Sequence, residues 1–460
     1  LGQYEKAEPL YVQAMEIRRK VLGEEHPHYA TSLNNLAELY AARGRNAEAL
    51  SLCQQASGIE EAQIDRVFSF TSEKEKLSFV ATIEGKLHAD LSLVRTGFSE
   101  DAEAVAWALG LALRRKGLVL DSLLTQQQAA VQDPGVAAKR QEWRQALQQS
   151  GALLLRGPGR EGPERHRENL RQLAERKEKL EAELSRLSAD FARERKQRHA
   201  DASMVATALP PGSALVEIVR ADIFTFKATG NAPRWKPAHY FAFVLRGGDA
   251  APVMIDLGLA DDIDQAVGAV RDRMEEATRA FGRAPGATIQ RPEEAREEEF
   301  RQASADLYRK AFAPVRKALG HATLVYVAPD GELNRVAFES LVEENGKYLI
   351  ESYRFAYLSS GRDLLRTAPA PATGTTAFAG PDYDLGVSGR QTQARLLLAA
   401  LPHEPQAAIR GQTSREVRSL KWEPLPGAAA ELADLQQELA GSRYGPVTGY
   451  TGAQALEEVF

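Results

Sequence analysis

The chemistry open to this chain is limited first by what is scarce in it. Cys53 is the single thiol among 460 residues, and the eight histidines, at 26, 28, 88, 166, 199, 239, 321 and 403, are scattered. A cysteine acts as a nucleophile only when its surroundings favour the thiolate, so its position in the fold decides its role. His26 and His28 stand two apart in the repeat linker, but without a third ligand the pair does not make a metal site. Gly157, Gly159 and Gly162 in "LLLRGPGREG" match G-x-G-x-x-G, the phosphate-cradling turn of dinucleotide sites. That turn needs a strand before it and a helix packed on a sheet after it. Here Pro163 and a highly charged helical stretch follow, so the glycines read as a loop between helices. Asp330, in "LVYVAPDGELNRVAFESL", suits a general acid or metal ligand by type. Its place in a Pro-Asp-Gly turn makes it a residue that bonds nearby backbone amides. The basic run "RERKQRH" (193–199) has no interleaved aromatics and lies at a helix end, where cations suit the dipole. Walker A, H-E-x-x-H and G-x-S-x-G motifs are all absent. These observations give no catalytic residue, no cofactor and no metal.

The elements that would position any site begin with an internal repeat. Gly2, Ala7, Tyr11 and Ala14 recur 42 residues later as Gly44, Ala49, Cys53 and Ala56. Between them, Leu33, Leu36, Ala37 and Tyr40 take the spacing of a tetratricopeptide repeat. Small Ala37 and Ala49 let two antiparallel helices approach, Leu33, Leu36 and Tyr40 fill the space between them, and Gly44 permits the turn. The long period and the "LGEEHP" linker resemble kinesin-light-chain-type repeats. Cys53 falls in a helix-packing slot, where a small apolar side chain is expected rather than a nucleophile. One full repeat and half of another are expected over 1–60, with further repeats upstream.

Residues 61–205 read as an all-helical connector. "DAEAVAWALGLALRRKGLVLDSLL" is apolar enough to be buried, and "LRQLAERKEKLEAELSRLSADF" suits a long antiparallel arm or coiled coil. From 206 to 460 the pattern becomes α/β. Strands are expected at "SALVEIVRADIFTF", "HYFAFVLRGGDAAPVMIDLG" (a hairpin turning at 247–249), "TLVYVAPDGEL", "RFAYLS" and "TTAFAGPDYD". Helices are expected near 261–282, 292–319 and "GAAAELADLQQELAG". A strand or loop follows at "YGPVTGY", then a helix capped by Thr451 at the end of the sequence. The stretch 385–424 reads as an exposed loop. The formal net charge is −5, which gives no global pull toward nucleic acid or anionic membrane. No apolar run approaches a membrane span. A single cysteine leaves no internal disulfide, and the chain is expected to be cytoplasmic.

"LVYVAPDGELNRVAFESLV", "GKYLIESYRFAYLSSGRDLL", "FAGPDYD", "PLPGAAAEL" and "GYTGAQAL", in this order behind repeats, resemble the CHAT domain. CHAT domains are caspase-like peptidase domains found behind tetratricopeptide repeats and are related to caspases and separases. Ala328, Arg335 and Ala337 are variants that the family tolerates. Ala428 stands where the family more often has Thr. The resemblance implies a His–Cys dyad, with the His in a His-Gly pair after the helix that opens with the "TG-A" pattern and the Cys some tens of residues later. No histidine here precedes a glycine, none follows His403, and no cysteine follows Cys53. No residue is therefore carried over to the dyad. The chain is expected to be an all-α repeat and connector region followed by an α/β caspase-like domain that stops before its chemistry.

Two readings of function follow. In one, the chain is the regulatory and structural portion of a repeat-controlled cysteine peptidase acting on protein substrates, with a protein or peptide partner held on the concave face of the repeats by Asn34, Asn35 and Glu38. In the other it is a non-catalytic interaction scaffold with a pseudo-caspase fold. Neither involves a membrane or direct nucleic-acid binding.

Overall fold

A computed structural model describes residues 4–68, 73–118, 134–187, 197–227, 232–249, 251–281, 293–366, 375–381, 392–393, 428–440 and 447–452. The described residues fall into two units, 1–366 and 367–460.

The first unit begins with three helices, α1 (Tyr4–Leu22), α2 (Pro27–Ala42) and α3 (Asn46–Phe68). Pro27 opens α2 at a position whose N–H needs no partner, and His26 caps it by accepting a hydrogen bond from the His28 amide at 3.0 Å. Between α2 and α3 the chain reverses at Gly44, whose φ of +78° puts it in the left-handed region. Ala37, Ala41, Ala49 and Cys53 form one core cluster and Tyr29, Ala30, Leu33 and Ala56 another. The expected repeat hairpin is present. Helix α1 is tied to its turn by Glu8, which pairs with Arg43 and, at 2.8 Å, with Arg45.

Next come α4 (Glu73–Gly97), α5 (Ala102–Arg115), an antiparallel pair α6 (Pro134–Arg156) and α7 (Gly162–Leu187), and the short α8 (Ala202–Ala208). The arm formed by α6 and α7 is held by Trp143, Ala146, Leu147, Leu180 and Leu184, with Lys139 pairing to Glu183 at 2.8 Å.

A five-stranded mixed sheet follows, in the order β3-β2-β1-β4-β5. Its strands are β1 (Ser213–Phe224), β2 (Trp235–Arg246), β3 (Val253–Leu259), β4 (Leu324–Ala328) and β5 (Arg354–Tyr357). The pairs β1–β2 and β2–β3 are antiparallel, and β1–β4 and β4–β5 are parallel. Side chains alternate across a strand, so β1 has two buried faces. Ala214, Val216 and Ile218 meet α9 (Ala260–Phe281), α10 (Glu293–Ala311) and α11 (Ala313–Leu319). Leu215, Val219, Ala221 and Ile223 meet α4, α5 and α8.

That second face differs from the division drawn from sequence. Helices α4, α5 and α8 lie within 61–205, yet they form a layer of the α/β sandwich rather than a separate connector. Polar stitching adds to the packing. His88 Nδ1 and Ser92 Oγ on α4 accept the amides of Asp222 and Phe224 at 3.3 and 2.9 Å, beside the register shift of β1. The compact unit accordingly runs to 366, with no break at 205/206.

The helix expected over 292–319 is also two helices. Phe312 is a turn residue between them, and Pro314, which has no N–H to donate, sits in the first turn of α11. Phe312 then packs edge-on to Tyr353 and Phe355, at 5.6 and 5.8 Å between ring centres.

In the second unit β6 (Thr375–Pro381) pairs in parallel with β7 (Val447–Gly452), and α12 (Ala428–Leu439) packs on them. Gly449 allows that approach, because a Cβ there would lie 2.7 Å from Leu432 Cδ2. Thr451, expected to cap a helix, is a strand residue opposite Ala379. The segment "VTGYTG" is rich in β-branched and aromatic residues (Val447, Thr448, Tyr450 and Thr451), and pairing with β6 extends the strand through it. The terminal helix expected after Thr451 and nearly all of the loop expected at 385–424 lie outside the described residues.

Candidate functional site

Cys53 sits on α3 among Ala37, Ala41, Ala49 and Leu93, and it is buried. Burial pushes its thiol well above the ordinary value, and the neighbouring Asp90 carboxyl pushes it further. This environment disfavours the thiolate that a nucleophile needs. Asp330 binds backbone, as a turn residue would. Its Oδ1 accepts the Gly331 amide at 2.9 Å and its Oδ2 accepts the Arg220 amide of β1 at 2.8 Å. Leu333, Val336 and Phe338 then fold back into the core. Gly157, Gly159 and Gly162 lie between α6 and α7 with φ of +68°, +49° and +82°. Helix α6 rather than a strand leads directly into them, so the dinucleotide geometry is missing. Of the basic run, Arg198 pairs with Asp65 at 3.3 Å and lies 5.3 Å from the Phe68 ring centre. Among the described residues, no three His, Cys, Asp or Glu side chains gather as metal ligands. No helix among them is long and apolar enough to cross a membrane.

What remains is a groove of about 540 Å³ on the repeat side of the first unit. Helix α1 gives it Tyr4, Leu10 and Tyr11, and α2 gives it Asn35, Glu38 and Leu39. The opposite wall comes from β1 and β2 ends nearly two hundred residues away, as Phe224, Phe226 and Arg234. Arg234 reaches Glu38 at 3.1 Å. Glu38 is half-buried, and desolvation raises its carboxyl above the usual range against the pull of Arg234. The groove is thus an aromatic and aliphatic trough with one ion pair in it, a surface suited to an apolar or aromatic peptide side chain flanked by polar groups.

The structure brings Asn35 and Glu38 together in this groove but not Asn34. Asn34 Nδ2 donates to Glu60 Oε1 on α3 at 2.9 Å. Glu60 is buried and also meets Lys86 at 2.8 Å and Arg115 at 3.0 Å. Asn34 therefore belongs to a polar network joining the repeat hairpin to α4 and α5. Repeat spacing alone placed Asn34 and Asn35 alike, since they are adjacent on one helix. What separates them is the layer packed behind α2 and α3. The far wall of the groove carried no signal in the repeat, because β1 and β2 supply it.

Comparison with known families places two matches on this frame. The tetratricopeptide repeat model matches residues 1–61, which are α1, α2 and most of α3. The CHAT domain model matches residues 301–458, which include β4 and β5 of the first unit and β6, α12 and β7 of the second. No curated protein matches the chain.

Proposed function

From a chain in which tetratricopeptide repeats, a protein-interaction module, precede a CHAT domain of caspase-like peptidase type, we infer a regulatory and structural role in a repeat-controlled cysteine peptidase. The repeat groove takes a peptide of a partner protein, and the CHAT architecture serves cleavage of a protein substrate. The observation that carries this reading is the groove itself, whose α2 wall presents Asn35 and Glu38 beside exposed Leu10 and Tyr11. The thiolate for such chemistry does not come from these residues. Cys53 is their single cysteine, and it is buried in the repeat hairpin. The same fact supports the scaffold reading, in which the chain binds partners and cuts nothing.

Selection from a random peptide library displayed on phage tests the groove. Peptides enriched on the 460-residue chain should lose binding to Tyr11→Ser and to Glu38→Lys. Equal binding to both variants would place the partner elsewhere. In a fluorogenic casein assay the chain should show no turnover, and Cys53→Ala should change nothing. Turnover abolished by Cys53→Ala would overturn the assignment of Cys53 as a packing residue.

A further inference from the structure

The polar network reached through Asn34 does not stop at the repeats. Helix α5 ends at Arg115, and the last carbonyls of a helix lack intrahelical donors. Two neighbouring side chains leave this turn for different structures. Arg115, its side chain 5% exposed, donates to Glu60 at 3.0 Å and to Glu61 at 2.8 Å, both on α3. Lys116 donates to the carbonyls of Ile218 in β1 and Ala328 at the end of β4, at 2.9 and 2.6 Å. It also stands 3.1 Å from Oε1 of Glu217, a fully buried carboxylate in the central strand.

The other oxygen of Glu217 accepts the Gly361 amide at 2.6 Å. Gly361 lies in the turn Gly361–Leu365, close to the end of the first unit at residue 366. The same turn grips α5 directly. Leu113 O accepts from the Arg362 guanidinium, and from Ser360 Oγ at 3.4 Å. Ser360 and Arg362 are buried, and there is no space at Gly361, where a Cβ would lie 2.3 Å from Leu215 Cδ2 and 3.0 Å from Leu113 Cδ2. One helical turn, Leu113–Lys116, therefore touches the repeat hairpin, the central strand and the turn at Ser360–Arg362.

Buried ion pairs are an inefficient way to gain stability, because desolvation offsets most of the attraction. Their better-attested use is to fix one arrangement among several. A joint built from two of them in series holds a defined register between the parts that it connects.

We propose that the C-terminal turn of α5 is a coupling joint. Displacement of α2 and α3 passes through Glu60–Arg115 to Lys116–Glu217, and so to Ser360–Arg362 near the end of the first unit. As regulation, the proposal rests on the partner-binding reading of the repeats. The joint itself is testable without any partner, so failure of the peptide selection and failure of the coupling are separate results.

The test is hydrogen exchange read by mass spectrometry on the 460-residue chain. Glu60→Gln weakens the α3 end of the joint, and Arg43→Ala perturbs the repeats off the path, at the Glu8 contact. Glu60→Gln should speed exchange of the peptide holding Gly361 on the order of fivefold or more, the lower range of ordinary coupling. Arg43→Ala should leave that peptide unchanged. Coupling is reciprocal, so Arg362→Ala should speed exchange across α3. If Glu60→Gln does not fold, Asn34→Ala, which removes one half-exposed hydrogen bond, carries the same comparison at smaller amplitude. Unchanged exchange at Gly361, or an equal rise at every amide of β1 and β2, would overturn the proposal.

Discussion

Helices α1 and α3 carry one motif and meet opposite fates. Ala7, Leu10, Tyr11, Ala14 and Ile17 on α1 correspond, 42 residues on, to Ala49, Leu52, Cys53, Ala56 and Ile59 on α3. On α3, Ala49 and Ala56 are 0% exposed and Cys53 is 7% exposed. Helix α1 has no buried residue, and its Leu10 and Tyr11 are 66% and 39% exposed. The difference lies in what stands opposite. Helix α3 has α2 on one side, and Leu93 of α4 and Trp107 of α5 on the other. Helix α1 has α2 and then the groove. A repeat motif specifies a surface able to pack, and the neighbours decide whether that surface becomes core or binding site.

If the docked side carries the stability and the open side the binding, the largest loss should come from the anchor of the docked side. Glu217→Ala leaves Lys116, its side chain 12% exposed, beside two carbonyls with its carboxylate gone. Breaking one partner out of a buried pair costs about 3–5 kcal/mol, and urea unfolding followed by circular dichroism should show a loss of that size. Glu38→Ala breaks the partly exposed pair with Arg234 on the open side and should cost under about 1 kcal/mol. Similar losses at the two sites would erase the distinction.

Apolar deletions sharpen the same contrast. Leu33 is 1% exposed inside the hairpin, and Leu33→Ala should cost about 3 kcal/mol through lost burial and the cavity left behind. Leu10→Ala, the same chemical change at 66% exposure, should stay within about 0.5 kcal/mol. The check is the shift in urea midpoint at constant slope.

The repeat, the strands of the sheet and the arm were legible because each rests on a local pattern. Ala37, Ala49 and Gly44 set helix approach and turn, and the alternation through 213–224 marks β1. The double role of α4 and α5 was not legible. "DAEAVAWALGLALRR" reads as buried, but an apolar helix does not announce whether it covers another helix or a sheet. The groove was half legible. Asn35 and Glu38 follow from repeat geometry, whereas Phe224, Phe226 and Arg234 come from the adjoining ends of β1 and β2, whose pairing brings them there. Lys116 and Glu217 were invisible for a further reason. A lone Lys and a lone Glu carry no spacing signal, and only the crossing of α5 over β1 makes them a pair.

Acid and base should probe the docked side next. Asp90 lies on α4 facing Cys53, Glu60, Lys86 and Arg115, and burial pushes its carboxyl up to about 7 against the pull of Arg115. The native state then holds a proton that the unfolded chain releases, so stability falls as pH rises from about 4 to about 7. Asp90→Asn should raise stability at pH 8 and leave it unchanged at pH 4. His26 sets the opposite limb. Burial, with His28 adding to it, lowers its imidazole to about 4, so stability should be lost as pH falls from about 6.5 toward 4. His26→Asn keeps an N-cap and should flatten that limb. Urea midpoints across pH 4–8 give both slopes, and a pH profile unchanged by either substitution would mean that these groups do not titrate where burial puts them.

The smallest stability effect should belong to the residue with the largest expected binding effect. Tyr11 stands in the position that Cys53 fills on α3, but here its ring lines the groove rather than the core. Tyr11→Ser should shift the urea midpoint by no more than about 0.5 kcal/mol, since little packed surface is lost. The same substitution removes the aromatic wall opposite Phe226 and should abolish binding of groove-selected peptides. A large loss of stability would mean that α1 is packed in solution as α3 is, with no open groove. Retained binding with unchanged stability would leave the groove open and move the partner off it. Only the split, with stability kept and binding lost, fits a motif that is core in one copy and contact surface in the other.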